Sequence, residues 1–337
     1  MLYHKNLDNI IFTKEQLIKC DELVILSGYV GPNPIHKLQN QSVKSTVIYG
    51  MYGAEGIQQS LHNALITEDS ISSKVNILYS TIPVHSKCYI WKNKGEIVSA
   101  LIGSANFSVN GLTTPNKEVL ADATSDTFSP LDDYLKLVLS KSIRCSDASA
   151  NKNKRKTVNV DIISNVDNYD KNICSMPLYV VETDGTKVVP ERSGLNWGLA
   201  KLSGSHVNIN DAYIAISSEM VEHYPELFPQ KAEAPSSNVG RHNHRHNDNI
   251  EILWDDGASM VGLLEGTRPM NINGQNILYP KQISSVPKKS ILGKYIRKRM
   301  NIPEGQYISY EDLEKYGRTT IDVSLQGEGV YFFDFSV

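Results

Sequence analysis

The sequence lacks most features that would place it at once. It has only four cysteines in 337 residues: Cys20, Cys88, Cys145 and Cys174. They are far apart and form no Cys-x-x-Cys pair, which argues for separate thiols in a reducing compartment and against a disulfide framework or zinc site. Charge of one sign is not in excess: 34 Lys and Arg stand against 37 Asp and Glu, for a net charge of -3. The chain is therefore no polycation, and any grip on nucleic acid must rest on local basic patches. No run approaches the roughly 18 apolar residues of a membrane span. The opening MLYHKNLDNIIFTKEQL has neither an apolar stretch nor a cleavage signature, so a cytoplasmic protein without a membrane partner is expected. No G-x-x-x-x-G-K-[ST] is present for a nucleotide, and no Asp/Glu/His cluster has metal-ligand spacing. The expectation is no metal and no cofactor.

What is present is an ordinary globular composition, 40% hydrophobic and 21% charged. The length suggests two domains or one large one. Up to about residue 145 the pattern alternates strands and helices. Strands are predicted at Leu23–Val30, where GPNP stops an apolar run, and at Val43–Gly53, Lys74–Ser80, Ser86–Trp91, Glu96–Gly103 and Lys117–Asp122. Helices are predicted near Glu15–Lys19, over Gly56–Ile66, and over Ser129–Ser140, where Ser-Pro supplies a cap and first turn. KNKG between two of the strands suits a tight hairpin turn.

Residues 146–157, SDASANKNKRKT, are small, polar and basic, and read as a linker. Beyond it the texture changes to short β-rich segments separated by TDGT, DDGA, NING and GEG, as in a barrel or sandwich. The clearest hairpin is EILW-DDG-ASMVGLL. Helices are predicted at Ser290–Met300, whose Arg297, Lys298 and Arg299 read as a charged outer face, and at Ser309–Gly317, with a capping box and a glycine stop.

The chemistry is concentrated in His85–Glu118, HSKCYIWKNKGEIVSALIGSANFSVNGLTTPNKE. Phosphodiester cleavage by two displacements needs a nucleophile that can attack and leave, and donors around the non-bridging oxygens. The imidazole of His85 is nucleophilic near neutral pH. Lys87, two positions along the same strand, points to the same side and supplies positive charge. Ser104 and Asn106 lie on the loop after the next strand, where Gly103 lets the backbone approach, and can donate to the same phosphate. Glu118 can bond the second imidazole nitrogen and orient the ring.

His-x-Lys and Gly-Ser-x-Asn are each weak alone. Their combination with the hairpin and the downstream Asn116-x-Glu118 resembles the signature of the phospholipase D superfamily, in particular its nuclease branch. One departure is Lys92, where that family's pattern has an aspartate, so the orienting role falls to Glu118. The resemblance implies a phosphohistidine intermediate, no metal, and two motifs per site. This chain has one motif, so two chains should pair as a homodimer about one composite site.

The second half offers side chains suited to DNA. Arg192, Asn196, Trp197 and Lys201 lie in Glu191–Lys201, Arg241 in RHNHRH, and Arg268, Asn271, Asn273 and Lys281 in Glu265–Lys281. Arg and Asn read base edges and Lys and Arg bind phosphates. Trp197 suits a core position equally well.

SGLNWG, LWDDG, GLLEGT and LGKYIRKRMNI, placed after the nuclease motif and basic linker, resemble the NgoFVII/NgoAVII type of restriction endonuclease over nearly the whole chain. The resemblance implies an α/β phospholipase-D-like nuclease and dimerisation domain over 1–145 and a linker over 146–175. It implies a mainly-β, B3-like DNA-binding pseudobarrel with two helices over 176–337. That fold grips the major groove with two arms, placed here at about Glu191–Lys201 and Gly266–Lys281. It also implies double-stranded DNA as substrate, a separate helicase-like ATPase as the only route by which ATP would enter, and a cognate DNA methyltransferase. The alternatives are a sequence-specific DNA-binding protein with a vestigial nuclease site, and a phospholipase-D-type lipid hydrolase.

Overall fold

The computed structural model describes residues 1–113, 118–151, 173–200, 207–231, 247–272 and 274–337. The chain divides into two compact units: Met1–Asn159 with Gln326–Val330, and Val160–Leu325 with Tyr331–Val337.

In the first unit the strands are β1 (Leu2–Tyr3), β2 (Glu22–Ser27), β3 (Lys44–Tyr49), β4 (Val75–Ser80), β5 (Lys87–Asn93), β6 (Glu96–Gly103), β7 (Leu120–Asp122) and β8 (Ser142–Arg144). They form one eight-stranded sheet in the order β1-β7-β6-β5-β2-β3-β4-β8. The β2-β3-β4 block is parallel and the remaining pairs are antiparallel. The helices are α1 (Leu7–Thr13), α2 (Pro32–Leu38), α3 (Tyr52–Glu55), α4 (Gln59–Ile71), α5 (Val109–Thr113) and α6 (Phe128–Ser140).

The continuous apolar run of β2 is explained by burial on both faces. Val24 and Leu26 join Ile48, Cys88, Ile90 and Ala100 in a core against Leu131, Leu135 and Val138 of α6. At the β5–β6 turn Lys94 and Gly95 both take positive φ, 52° and 86°, as a two-residue primed turn requires.

Several boundaries differ from expectation. β2 ends at Ser27, before GPNP, with Val30 left as an isolated bridge to Phe107, and Pro32 and Pro34 then open α2, because proline at the first turn loses no needed N–H. The N-terminal helix lies earlier than predicted, with only a 3-10 turn at Lys14–Gln16. Helix α6 starts at Phe128 with Thr127 at the cap, so Ser129 and Pro130 sit in the first turn. Cys145–Asp147 is a 3-10 turn and Asn151 bridges Gln58, so the start of the expected linker packs on this unit. The KNKRK run lies outside the described residues.

The second unit contains β9 (Ile173–Pro177), β10 (Val180–Val181), β11 (Lys187–Val188), β12 (Ile214–Ala215), β13 (Asp248–Trp254), β14 (Ser259–Glu265), β15 (Arg268–Ile272), β16 (Gln275–Tyr279), β17 (Gln282–Ser285), β18 (Thr320–Gly327) and β19 (Val330–Asp334). Seven of them form a sheet in the order β12-β17-β14-β13-β19-β18-β9. Its core holds Trp254, Phe333, Phe335, Ile252 and Ile296. Because β9 pairs with β18, residues 173–175 belong to this sheet and not to a linker.

Two helices were expected here, α8 (Ser290–Arg299) and α9 (Tyr310–Tyr316), and α7 (Ser218–His223) is additional. The capping box of Ser309 with Asp312 and the left-handed Gly317 stop are both present. Arg297 corrects the reading of α8 as a charged outer face. It is fully buried, donating to the carbonyls of Gln306 (2.9 Å), Gly293 (3.2 Å) and Leu195 (3.2 Å). Arg299 pairs with Asp255 at 2.8 Å. No helix among the described residues is long and apolar enough to cross a membrane.

Candidate active site

Sheet register assembles the site. The start of β5 lies beside the end of β6, with Lys87 opposite Gly103, and beside the end of β2, with Leu26 opposite Cys88. Gly103 in turn lies opposite Leu120 of β7. His85, Lys87, Gly103, Ser104, Asn106 and Glu118 therefore line one open cleft of about 400 Å³, together with Glu328. All five predicted catalytic residues are brought together. Two glycines make room for them. A Cβ on Gly103 would stand 2.0 Å from the Val119 carbonyl oxygen, and one on Gly28 would stand 2.9 Å from His85 Cδ2.

His85 is exposed, and its ring nitrogens lie 3.2 Å (Nδ1) and 3.1 Å (Nε2) from Lys87 Nζ. Lys87 is only 5% exposed and also donates to the His85 carbonyl at 2.7 Å. Burial lowers its pKa, against the opposing charges of Glu328 and Glu118. Tyr29 meets the His85 ring edge-on, with centroids 6.0 Å apart. Asn106 is buried, and its Oδ1 accepts from the Tyr29 backbone N–H at 3.2 Å. Its Nδ2 donates to Glu328.

Glu118 does not take the place expected of it. It accepts the hydroxyl proton of Ser104, which also accepts from the Val119 N–H at 3.1 Å. The imidazole of His85, for which Glu118 was the expected partner, meets Lys87 instead. Lys92 is directed to α6, where it pairs with Asp132 at 2.7 Å, so it is no substitute for the missing aspartate. Asn116 lies outside the described residues.

Sequence reasoning missed Glu328, which sat in GEG and read only as a turn, and the backing from Ser27, Gly28 and Tyr29. The one available signal was a glycine directly after a buried strand run. Glu328 had none, being 210 positions beyond Glu118 (328 − 118) in the sequence.

The candidate DNA-binding residues separate into groups. Arg192, Asn271 and Lys281 are exposed. Arg268 is half-buried at the base of the β15–β16 hairpin and donates to the Ile216 carbonyl at 2.8 Å. Asn271 lies near the hairpin tip and accepts from the Gly274 N–H at 3.0 Å. Trp197 is half-buried beneath Lys289, whose Nζ is 4.8 Å from the ring centroid. Asn196 is 1% exposed, and its amide is fully engaged inside the unit. It donates to the Ile308 carbonyl (2.8 Å) and accepts from the Ile308 N–H (2.9 Å) and Arg297 (3.3 Å). That removes Asn196 from the side chains free to meet a base. Lys201, Arg241 and Asn273 lie outside the described residues. Among the described residues there is no group of three or more His, Cys, Asp or Glu placed to hold a metal ion.

The first unit, with this cleft at one end of its sheet, is a phospholipase-D-like domain, and residues 5–152 match the model described as the NgoFVII restriction endonuclease N-terminal PLD domain. The second is a β-rich pseudobarrel, and residues 167–326 match the NgoFVII C-terminal B3-like DNA-binding domain. The protein is thus a nuclease of the class that joins a phospholipase-D-like domain to a B3-like one. The chain belongs to the NgoFVII restriction endonuclease family. Among solved structures it is similar to NucT from Helicobacter pylori, with 16% identity and a TM-score of 0.29, covering 41% of this chain and 87% of that one. It is also similar to polyphosphate kinase from Porphyromonas gingivalis, with 18% identity and a TM-score of 0.30, covering 46% of this chain and 24% of that one. None of the curated proteins matches it.

Proposed function

We propose that this nuclease cleaves double-stranded DNA without a metal, through a covalent phosphohistidine on His85, in a site completed by a second copy of the chain. The observation that carries the reading is an exposed imidazole beside a buried ammonium and an inward-facing amide, in one open cleft. A nitrogen of His85 attacks phosphorus, a P–N bond forms and a P–O bond of the DNA backbone breaks. The leaving oxygen takes a proton from the partner's His85. Water then attacks phosphorus, its proton passes to that second imidazole, and the P–N bond breaks. Lys87 and the Nδ2 of Asn106 stabilise charge on the non-bridging oxygens.

The resemblance to phospholipase-D-type nucleases supports a partner: that chemistry uses one histidine as nucleophile and a second as acid, one from each of two motifs, and each chain carries one motif. The B3-like domain chooses the sequence, with Arg192 and the β15–β16 hairpin as the DNA-facing set. A cognate methyltransferase would protect the host's sites, a helicase-like ATPase would bring ATP-driven motion, and the cytoplasm is the compartment.

The test is digestion of unmethylated DNA in EDTA by wild type and His85→Ala, with the mass in solution measured alongside. Cleavage in EDTA by a dimer, lost in His85→Ala, is expected. Cleavage that stops in EDTA overturns the metal-free reading.

A further inference from the structure

We infer that Ser27, at the end of β2, is a positioning residue that sets which end of the Asn106 amide faces the reacting phosphate. The inference rests on the nuclease reading of the cleft.

Ser27 is fully buried and its hydroxyl is a junction between two loops. It lies 2.6 Å from the Tyr29 carbonyl oxygen and 3.3 Å from Asn106 Oδ1, and it accepts from the Phe107 N–H at 2.9 Å. A serine hydroxyl has one proton to donate. The shorter contact takes it, so Ser27 donates to Tyr29 and accepts from Phe107. One side chain thereby clamps the loop after β2 to the loop after β6.

The clamp holds the Tyr29 N–H 3.2 Å from Asn106 Oδ1. The amide oxygen is then satisfied from behind, and Nδ2 is the end turned to the cleft, where it donates to Glu328. If the amide turned over, its NH2 would meet the Tyr29 N–H, donor against donor. Its oxygen would then face the anionic phosphate. Two donors buried face to face and an acceptor aimed at an anion are both unfavourable. Ser27 therefore secures, from behind, the sign of the dipole that Asn106 presents, while Glu328 holds the other end of the amide from the cleft, and Ser27 does so without touching substrate.

The same loops have anchors that do not depend on Ser27. Tyr89 donates its hydroxyl to the Ala105 carbonyl at 2.8 Å, and the Gly31 N–H reaches the Phe107 carbonyl at 2.9 Å. Loss of the Ser27 hydroxyl should thus loosen the amide while the fold persists.

The experiment compares single-turnover cleavage and DNA affinity of the full chain as wild type, Ser27→Ala, Asn106→Ala and the double variant, with His85→Ala as reference. Ser27→Ala is expected to slow the bond-breaking step about tenfold, with affinity nearly unchanged. In the Asn106→Ala background it is expected to cost nothing further, since a residue acting through Asn106 has nothing left to act on. Ser27→Cys keeps the shape with a much weaker donor, serves should the alanine variant unfold, and is expected to show the same loss. A wild-type rate in either variant, or the same tenfold loss with and without Asn106, overturns the inference. A His85→Ala protein that cleaves normally overturns the reading of this cleft as the nuclease site, an outcome distinct from any effect of Ser27.

Discussion

Ser104 donates its hydroxyl proton to Glu118. The acid thereby holds the loop that carries Asn106 and leaves the His85 imidazole to Lys87. The contact ties Ser104 to the residues that lead into β7. Glu118→Ala should slow single-turnover cleavage about tenfold, whereas Glu118→Gln, which still accepts the Ser104 proton, should slow it less. An equal loss in both variants would show that the negative charge itself is what matters.

Lys87 is expected to set the alkaline limit of activity. Burial lowers its pKa, so the folded enzyme loses this positive charge at a lower pH than the ordinary value of about 10.4. Activity that depends on the ammonium is present below that shifted pKa and is lost as pH rises through it. Lys87→Arg keeps its charge to far higher pH. Its maximal rate should fall, because the guanidinium has a different shape, and its alkaline limb should move upward. A pH–rate profile with an unmoved limb would assign that limb to another group.

Glu328 places a carboxylate on the Nδ2 of Asn106, the donor intended for a phosphate oxygen. It is exposed, so its effect is modest and screened by salt. In a His85→Ala background, Glu328→Ala should bind DNA about threefold more tightly at low ionic strength, with the gain fading as salt rises. Equal affinity at all salt concentrations would show that the carboxylate does not compete with phosphate.

In the second unit stability and DNA contact should separate. Asn196→Ala leaves a buried Arg297 and the Ile308 N–H short of a partner, and should destabilise this unit by about 2 kcal/mol. Arg192→Ala, at an exposed position, should leave the melting temperature unchanged and weaken specific binding. Melting curves and binding titrations on both variants check this. Full stability in Asn196→Ala would show that Arg297 and the Ile308 N–H find other partners and that this amide does not hold the unit together.

The sequence was most legible where neighbours in the chain are neighbours in space. His85 and Lys87 share a strand, and a tight hairpin returns the chain to Ser104 and Asn106 beside them, so the site's main residues could be read from one stretch. The capping box at Ser309 and the hairpin at Trp254–Ser259 are local in the same way. Long-range pairing was not legible. Ser27 reaches Asn106 only because β2 lies next to β5, and Glu328 comes from a turn far along the chain. Arg297 misled because a basic run has the same composition on a surface and in a core. Only its carbonyl partners show that it is buried.

The central claim is that His85 attacks phosphorus. Labelled DNA mixed with enzyme in EDTA and quenched in alkaline detergent, which preserves a P–N bond, tests this most directly. A covalent protein–DNA adduct is expected in wild type, located at His85 by peptide mapping and absent in His85→Ala. Cleavage by wild type with no adduct at any time point, or an adduct that survives His85→Ala, would contradict it.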